Sequence, residues 1–324
     1  NMHVPQSISA TTELINIASV NNQILSPREN KPIITIVQDT LLGIYKLTHS
    51  EIIRFPEKSN QYYGNNTNLY NVENEGNKTY KCVDSCVYTK QQMMNIISTL
   101  STFEGNYPDA DKFITKNENK IPLWSGKCIL SYIIPNTIHL EMPNMTYDNV
   151  KDNKGELSEA KKLTAESNEK INLVKIVNGM IQQGTFDKTL FSKTSKGLIH
   201  TICNDLGSMR AHDFINDLQK IVSYILLIEG FSVGISDMIA DQTTNEKIDT
   251  IIEKRKHKIV DIMQEVHLDI FDGVPGQTKN DFFESKVNSI LNGMTEETGK
   301  ASLANLDPKN RTTYMVNSGS KGKS

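Results

Sequence analysis

The stretch that decides the fold is Glu229-Gly-Phe-Ser-Val-Gly-Ile-Ser-Asp-Met-Ile-Ala-Asp241. An apolar pattern with the period of a helix leads into it, and a longer helical pattern follows it. Gly230 suits the C′ position of the first helix, and Asp241 can cap the second, for which Thr243-x-x-Glu246 also fits a capping box. Asp237 and Asp241 could be paired acids, but at a helix boundary caps are the better interpretation. We therefore predict a structural corner between two helices, built on Gly230, Gly234, Asp237 and Asp241.

Amphipathic patterns on both sides of this corner predict long helices. The stripe before it ends at Gly230, and the one after it runs from about Ile248 to Val266. A Gly/Pro turn at 272–276 follows, and Thr278-x-x-Asp281 is predicted to cap a third helix. Two long helices joined by a short loop favour an antiparallel helix hairpin.

The chain before the first of these helices is predicted to be mixed but mostly β. A β-branched run at 33–37 predicts a strand followed by a turn at Gly43. Strands are also predicted at 171–177, 179–182 and 198–203, with Asn178-Gly179 as a hairpin turn. Thr89-x-x-Gln92 predicts a capped helix. Together with the helices that follow, the fold class is α+β.

Composition excludes several classes of protein. The 324 residues are 37% hydrophobic and 23% charged, with a formal net charge of −3. This supports a sizeable core in two or three modules and gives no global attraction to nucleic acid or to an anionic membrane. Four cysteines without framework spacing favour a reduced, intracellular protein, and no apolar run approaches membrane-spanning length.

Metal and nucleotide motifs are weak. Cys82 and Cys86 could form half of a metal site, but no second pair lies at a workable spacing, so we predict no metal site and structural thiols. His139 and His200 are interpreted as core histidines in strands. The tail at 317–324 resembles a P-loop, although Asn317 stands in the place of the first glycine. We interpret it as a basic Gly/Ser loop that can meet phosphates.

Segments along the whole chain, in order, resemble the largest subunit of multisubunit DNA-directed RNA polymerase, eukaryotic-type RNA polymerase II in particular. They are Asn1-Met-His-Val-Pro-Gln-Ser7, Ile36-Val-Gln-Asp-Thr-Leu-Leu-Gly43, Lys46-Leu-Thr48, Leu123-Trp-Ser-Gly-Lys127, Ile133-Ile-Pro-Asn136, Gly197-Leu-Ile-His200, the corner itself and Ser318-Gly-Ser-Lys-Gly322. Residues 56–120 and 142–170 match poorly and are interpreted as insertions.

The resemblance implies an order of domains. Residues 1–30 would end the active-centre domain, residues 31–208 would form the pore domain, and residues 209–324 would form the funnel domain with its helix hairpin. In that family these domains line the channel through which nucleoside triphosphates (NTPs) enter and backtracked RNA 3′ ends leave. The family's Mg²⁺ ions would be held by aspartates upstream of Asn1, so no catalytic residue is expected here and the isolated segment is predicted to be inactive.

The resemblance also implies channel residues. Lys321, Lys127 and Lys323 would contact phosphate or RNA. A triphosphate is anionic, so its channel needs local positive charge even though the chain as a whole has a net negative charge. Ser318 and Ser320 would be neutral donors, and Gln38 would order the strand near the active centre. These assignments concern side chains far apart in the sequence.

Partners and location are implied in the same way. They are the other polymerase subunits, especially the second-largest, with template DNA, RNA and NTPs, and a transcript-cleavage factor docking near the basic run 254–258. No membrane is involved. The protein would act in the nucleus, or in host cytoplasm or virion if its Asn/Lys-rich segments mark a large DNA virus. The alternatives are a diverged, non-catalytic helical binding module and a P-loop nucleotidase, which would bind ATP on its own.

Overall fold

The computed structural model describes residues 2–54, 80–116, 119–147, 169–193, 195–271, 273–274, 276–307 and 309–322. Its helices are α1 (Ile8–Asn16), α2 (Gln38–Thr48), α3 (Lys90–Ile97), α4 (Gly126–Ser131), α5 (Lys188–Ser192), α6 (Leu198–Leu206), α7 (Ser208–Glu229), α8 (Gln242–His267), α9 (Lys279–Asn305) and α10 (Arg311–Ser318). Its strands are β1 (Ser50–Arg54), β2 (Tyr80–Asp84), β3 (Val87–Tyr88), β4 (Lys112–Lys116), β5 (Asn119–Ser125), β6 (Leu140–Pro143), β7 (Leu173–Val177) and β8 (Met180–Gln183).

The chain divides into two compact units. The first takes the residues up to Phe231 together with a return segment that begins at Met315, and the second runs from Ser232 to Tyr314. Helix α7, expected to open the funnel domain, packs in the first unit. The corner at 229–241 therefore contains the end of one unit and the beginning of the other.

Three small antiparallel sheets lie in the first unit. β1 pairs with β2, the second sheet has the order β3-β5-β4, and the third has the order β6-β7-β8. The predicted hairpin of β7 and β8 is confirmed. Its turn residues Asn178 and Gly179 both have positive φ, 51° and 72°, as a two-residue hairpin turn requires.

Helices share the first unit with these sheets, so the expectation of a mostly β region is too simple. α2, α3, α4, α6 and α7 bring buried side chains into one core with β6, β7 and β8. Helix α3 lies within the range interpreted as the first insertion, and its Met93, Ile96 and Ile97 are buried. The rest of that range at 55–79, and most of the second insertion, lie outside the described residues.

The strand predicted at 33–37 and the turn at Gly43 are wrong. The chain forms helix α2 from Gln38, and nearly every residue of that helix from Thr40 onward is buried. A helix buried on most sides lacks amphipathic periodicity, so the sequence at 38–48 gives no helical pattern. Gly43 lies inside the helix at a close approach: a Cβ there would be 2.3 Å from Cγ1 of Val222 on α7.

The strand predicted at 198–203 is also wrong, because α6 covers it. Leu198, Ile199 and Ile202 are buried on one face of that helix. His200 is therefore a helical residue, and its Nε2 lies 3.2 Å from Oδ1 of Asn30. Three apolar residues at this spacing fit a short strand as well as a helix, which explains the error.

The second unit contains the predicted antiparallel hairpin of α8 and α9. Side-chain contacts join Lys247 to Asn305, Arg255 to Glu297, Glu265 to Lys286 and Asp269 to Lys279. In these pairs the residue number on the α8 side rises as the residue number on the α9 side falls, so the two helices are antiparallel. Within the described residues, no helix is long and apolar enough to cross a membrane.

Caps delimit both hairpin helices. Asp241 accepts a hydrogen bond from the backbone N–H of Thr244 at 3.0 Å, and Thr278 accepts one from Asp281 at 3.2 Å, as predicted. The capping box proposed for Thr243 is wrong, since Thr243 lies inside the helix and its hydroxyl donates to Asp241 at 2.7 Å.

Candidate functional site

The Gly/Ser loop, residues 318–322, follows α10 in the return segment and is closed by hydrogen bonds to one carbonyl. Ser318 is fully buried, and its hydroxyl donates to the carbonyl oxygen of Met315 at 3.0 Å. The Ser320 hydroxyl and the Lys321 backbone N–H also donate to that oxygen, at 3.2 and 3.3 Å. The two serines proposed as ligand donors therefore define the shape of the turn itself.

Two helices of the first unit lie against this loop. Asn317 is close enough to Tyr45 on α2 for its side chain to lower the pKa of that phenol. Gly319, with φ of 75°, packs so tightly that a Cβ would lie 2.7 Å from Cβ of Lys188. The loop consequently has fixed contacts with two helices, α2 and α5.

Tyr45 itself is only 6% exposed and its ring stacks on His49, with centroids 5.4 Å apart. Burial raises the pKa of Tyr45 to about 12, an effect that the Asn317 hydrogen bond partly offsets and the charge of Asp187 reinforces. The phenol is therefore neutral at physiological pH.

Lys321 is exposed at the end of the loop. Among the residues that the structure describes, no carboxylate oxygen lies within 4 Å of its ammonium group. Its charge is therefore available to an anion without the breaking of an existing ion pair. Lys323 lies outside the described residues.

Lys127 has a different environment. It is 8% exposed, and its Nζ lies 2.9 Å from Oδ1 of Asp84 and 2.6 Å from the hydroxyl of Ser50. Burial alone would raise the pKa of Asp84, but the nearby ammonium groups of Lys127 and Lys112 outweigh it and lower that pKa. Within the described residues, no hydrogen bond or ion pair joins Lys127 to the Gly/Ser loop.

Gln38 begins α2 instead of ordering a strand, and this corrects its expected role. Its φ is +50° and its side chain is exposed. A non-glycine residue in this region of φ costs about 1–3 kcal/mol and is found disproportionately at functional sites. The observation keeps Gln38 as a candidate on new grounds, at the N-terminus of the helix that carries Tyr45.

The first half of the corner ends α7. Gly230 has φ of 66°, and its N–H donates to the carbonyl oxygen of Leu226 at 2.9 Å. A left-handed residue at this position closes the last turn, as the sequence predicts.

The second half of the corner is a network around Asp237. Its carboxylate accepts hydrogen bonds from the backbone N–H of Gly234 at 2.9 Å and of Arg311 at 3.4 Å. The Gly234 bond, followed by that of Arg311, lowers the pKa of Asp237. Hydrogen bonds from Thr244 and Thr243 lower the pKa of Asp241 in the same way. Both carboxylates are therefore satisfied by backbone and hydroxyl donors.

Sequence reasoning missed a cluster around Glu229, the last residue of α7. The carboxylate accepts a hydrogen bond from the Tyr88 phenol at 2.7 Å and pairs with Lys46 at 2.8 Å. Burial, reinforced by Glu229, raises the pKa of the adjacent Cys86 thiol to about 12. Cys86 is therefore a structural thiol, and Glu229 anchors the end of α7 to α2 and β3.

The described residues do not fit a metal centre. Nowhere among them do three or more His, Cys, Asp or Glu side chains converge as a metal site would require. Asp84 and Asp237 are each bonded to groups of the described protein, Asp84 to the ammonium of Lys127 and Asp237 to the backbone N–H of Gly234.

A basic groove of about 830 Å³ lies on the helix hairpin. Its charged lining is mixed, since the cations Lys254, Arg255 and Lys258 are joined by the carboxylates of Asp249, Glu253 and Glu297. The guanidinium of Arg255 pairs with Glu297. Within the part of the chain that the structure describes, Lys254 and Lys258 have no carboxylate within 4 Å. The groove therefore carries charges of both signs, and among the described residues Lys254 and Lys258 are its unpaired cations.

Comparison with protein families gives two matches. The family model described as RNA polymerase Rpb1, domain 3, matches residues 23–238, about two thirds of the chain. The one described as RNA polymerase Rpb1, domain 4, matches residues 262–324. The first match ends inside the corner, and the second contains the Gly/Ser loop.

Proposed function

Because the chain belongs to the RNA polymerase Rpb1 family, that of the largest subunit, we propose that it lines the channel for NTP entry and for backtracked RNA. As part of a DNA-directed RNA polymerase it works with the other subunits, DNA and RNA in a nucleotidyltransferase. The proposal assigns the pore to residues 31–208 and the funnel to residues 209–324.

The exposed ammonium of Lys321, which has no carboxylate partner among the described residues, carries this proposal. A triphosphate is strongly anionic, and a lysine already paired with a carboxylate must lose that partner before it can bind phosphate. Lys321 needs no such exchange with any described residue, and Gly319 of its loop packs closely against Lys188, so less backbone ordering is needed on binding. Lys127 has the opposite properties, and its contacts with Asp84 and Ser50 favour a structural role.

Mg²⁺ is the ion that this enzyme class uses for the transfer itself. The described residues offer no ligand set for it, so their part is to bind and orient anions on the way to the reacting centre. We propose accordingly that the isolated segment adds no nucleotide to a primed template. Chelator-sensitive addition by the purified segment would contradict this.

The test of the channel role is Lys321→Ala in the complete polymerase. We expect weaker use of incoming NTP and slower handling of backtracked RNA, because one phosphate contact is lost. Lys90→Ala is the matched control, since Lys90 is also exposed in the first unit and lies in no described ion pair. Elongation and transcript cleavage equal to the control would remove Lys321 from the channel.

Docking at the hairpin is a second element of the proposal. The basic groove at Lys254 and Lys258 fits a partner with acidic side chains, such as a transcript-cleavage factor, while the first unit would face the second-largest subunit. The competing function, a non-catalytic binding module, would use the hairpin alone, and Lys321→Ala would then have no effect on transcription. A viral source, and action in the nucleus, host cytoplasm or virion, stay hypotheses.

A further inference from the structure

We propose that Ser318 is a positioning residue for Lys321: its buried hydroxyl closes the Gly/Ser loop on the carbonyl of Met315 and thereby sets where the ammonium group of Lys321 lies. The proposal rests on the channel role of Lys321 given above. Ser318 touches no substrate in this scheme, which replaces its expected role as a neutral donor to the ligand.

The hydroxyl of Ser318 has partners within the loop itself. It donates to the carbonyl oxygen of Met315 at 3.0 Å and accepts the backbone N–H of Ser320 at 3.3 Å. The hydroxyl of Ser320 lies 2.9 Å from it and donates to the same carbonyl at 3.2 Å. Because Ser318 is fully buried, water cannot replace partners that are lost, and a lost bond leaves an unsatisfied polar group. The hydroxyl therefore favours one arrangement of the loop backbone.

The backbone N–H groups of the loop also have internal acceptors. That of Gly319 donates to the carbonyl of Val316 at 2.9 Å, that of Ser320 to the hydroxyl of Ser318, and that of Lys321 to the carbonyl of Met315 at 3.3 Å. A P-loop instead presents its N–H groups to the phosphate. These three N–H groups are therefore not free to bind an anion, and the side-chain ammonium of Lys321 supplies the attraction.

Two glycines pack the loop closely on either side of Lys321. Gly319 has φ of 75°, and a Cβ there would lie 2.7 Å from Cβ of Lys188. Gly322 has φ of 93°, and a Cβ there would lie 3.0 Å from Cγ2 of Val316. The backbone of Lys321 consequently has little freedom, and a group that is already held in place loses less conformational entropy when it binds.

The test compares four forms of the complete polymerase: wild type, Ser318→Ala, Lys321→Ala and the double variant. We expect Ser318→Ala to raise KM for NTP about two- to tenfold, which corresponds to one lost hydrogen bond. The kcat should be nearly unchanged, because a misplaced Lys321 weakens binding of the anion in the ground state and the transition state alike. In the Lys321→Ala background the substitution of Ser318 should add nothing, since the residue acts through that lysine.

Ser131→Ala is the matched control for simple destabilisation. Ser131 is also a buried serine of the first unit, 5% exposed, whose hydroxyl donates to a carbonyl, that of Lys127, at 2.7 Å. It also accepts a backbone N–H, that of Ile181, at 2.9 Å, and it has no described hydrogen bond to the Gly/Ser loop. We expect Ser131→Ala to leave KM for NTP unchanged.

Ser318→Cys covers the case in which Ser318→Ala does not assemble into the polymerase. Cysteine keeps a side chain of similar shape and replaces the hydroxyl by a thiol, which is a weak donor and a weak acceptor. The same rise in KM, again absent in the Lys321→Ala background, is then expected of this variant.

The outcomes separate the two proposals. If Lys321→Ala leaves KM unchanged, the channel role fails. If Lys321→Ala raises KM while the Ser318 variants do not, or if the two effects add, the channel role stands and the positioning role of Ser318 is overturned. An equal rise in KM for Ser131→Ala would also overturn the positioning role.

Discussion

The phenol of Tyr88 donates a 2.7 Å hydrogen bond to the carboxylate of Glu229, although 141 residues separate them in the chain. Lys46 pairs with the other oxygen of the same carboxylate. The carboxylate of Glu229 therefore joins three elements: α2, β3 and the end of α7. The contact therefore fixes the last turn of α7 to the core of the first unit.

Tyr88→Phe is expected to lower the free energy of unfolding by about 1.5–3 kcal/mol, the range for a hydrogen bond to a charged group. The measurement is urea unfolding of the purified chain. Tyr107→Phe is the matched control, because Tyr107 is 38% exposed and its hydroxyl has no described partner. If the two variants have the same free energy of unfolding, the hydrogen bond from Tyr88 to Glu229 does not stabilise the fold.

Gly43→Ala is expected to destabilise the first unit even though alanine favours a helix. The gain in helix propensity is about 1 kcal/mol, whereas overpacking a core costs about 1–3 kcal/mol. The new Cβ would meet Val222 at 2.3 Å, and that side chain is 1% exposed with no room to move. The double variant Gly43→Ala with Val222→Ala provides the check, since removal of Cγ1 should reverse part of the loss. Strict additivity of the two substitutions would contradict the close approach.

Local signals explain which parts of the fold the sequence predicts. The caps at Asp241 and Thr278, the positive-φ glycine that ends α7 at Gly230 and the turn at Asn178-Gly179 each depend on residues within a few positions. By contrast, a strand at 33–37 and a turn at Gly43 were predicted where α2 forms, because the burial of α2 comes from packing against α7 and α4. A short apolar run does not report which neighbours cover it.

The candidate site likewise combines features that local sequence predicts with features that depend on long-range packing. Lys321 is recognisable from its loop, but Gly319 of that loop packs against Lys188, which is far away in the chain. Lys127 looked equally available in sequence, and only the fold places it beside Asp84, 43 residues earlier. Whether a lysine is free or paired is thus a long-range property, and no motif around it carries that information.

Lys127→Met is expected to destabilise the chain at pH 7 by about 3–5 kcal/mol, because it leaves the buried Asp84 carboxylate with Lys112 as its remaining cation. The loss should depend on pH. The pKa of Asp84 is lower in the folded wild type than in the unfolded chain, so its ion pair contributes stability above the unfolded pKa. That stability is lost as pH falls through the folded pKa.

The measurement compares unfolding of wild type and Lys127→Met at pH 7 and pH 3. The difference between them should shrink in acid, since protonation of Asp84 removes the unpaired charge from the variant. Asp84→Asn with Lys127→Met serves as control and should show little pH dependence at this site. A difference that is constant with pH would mean that the ion pair does not stabilise the fold.

Charge reversal on the helix hairpin tests the docking surface. Lys254→Glu and Lys258→Glu each place a carboxylate in the basic groove, so both should weaken binding of an acidic partner to the complete polymerase, by about tenfold if one favourable contact becomes repulsive. Lys256→Glu is the matched control on the same helix, because Lys256 does not line the groove and pairs with Glu253 at 2.8 Å.

The readout is factor-stimulated cleavage of a backtracked transcript, titrated with the factor at two salt concentrations. Screening by salt should narrow the gap between groove variants and wild type, since exposed charges interact over about one Debye length, roughly 8 Å at physiological ionic strength. If Lys256→Glu impairs cleavage as much as the groove variants do, the partner binds by general attraction to α8 and the groove has no specific role.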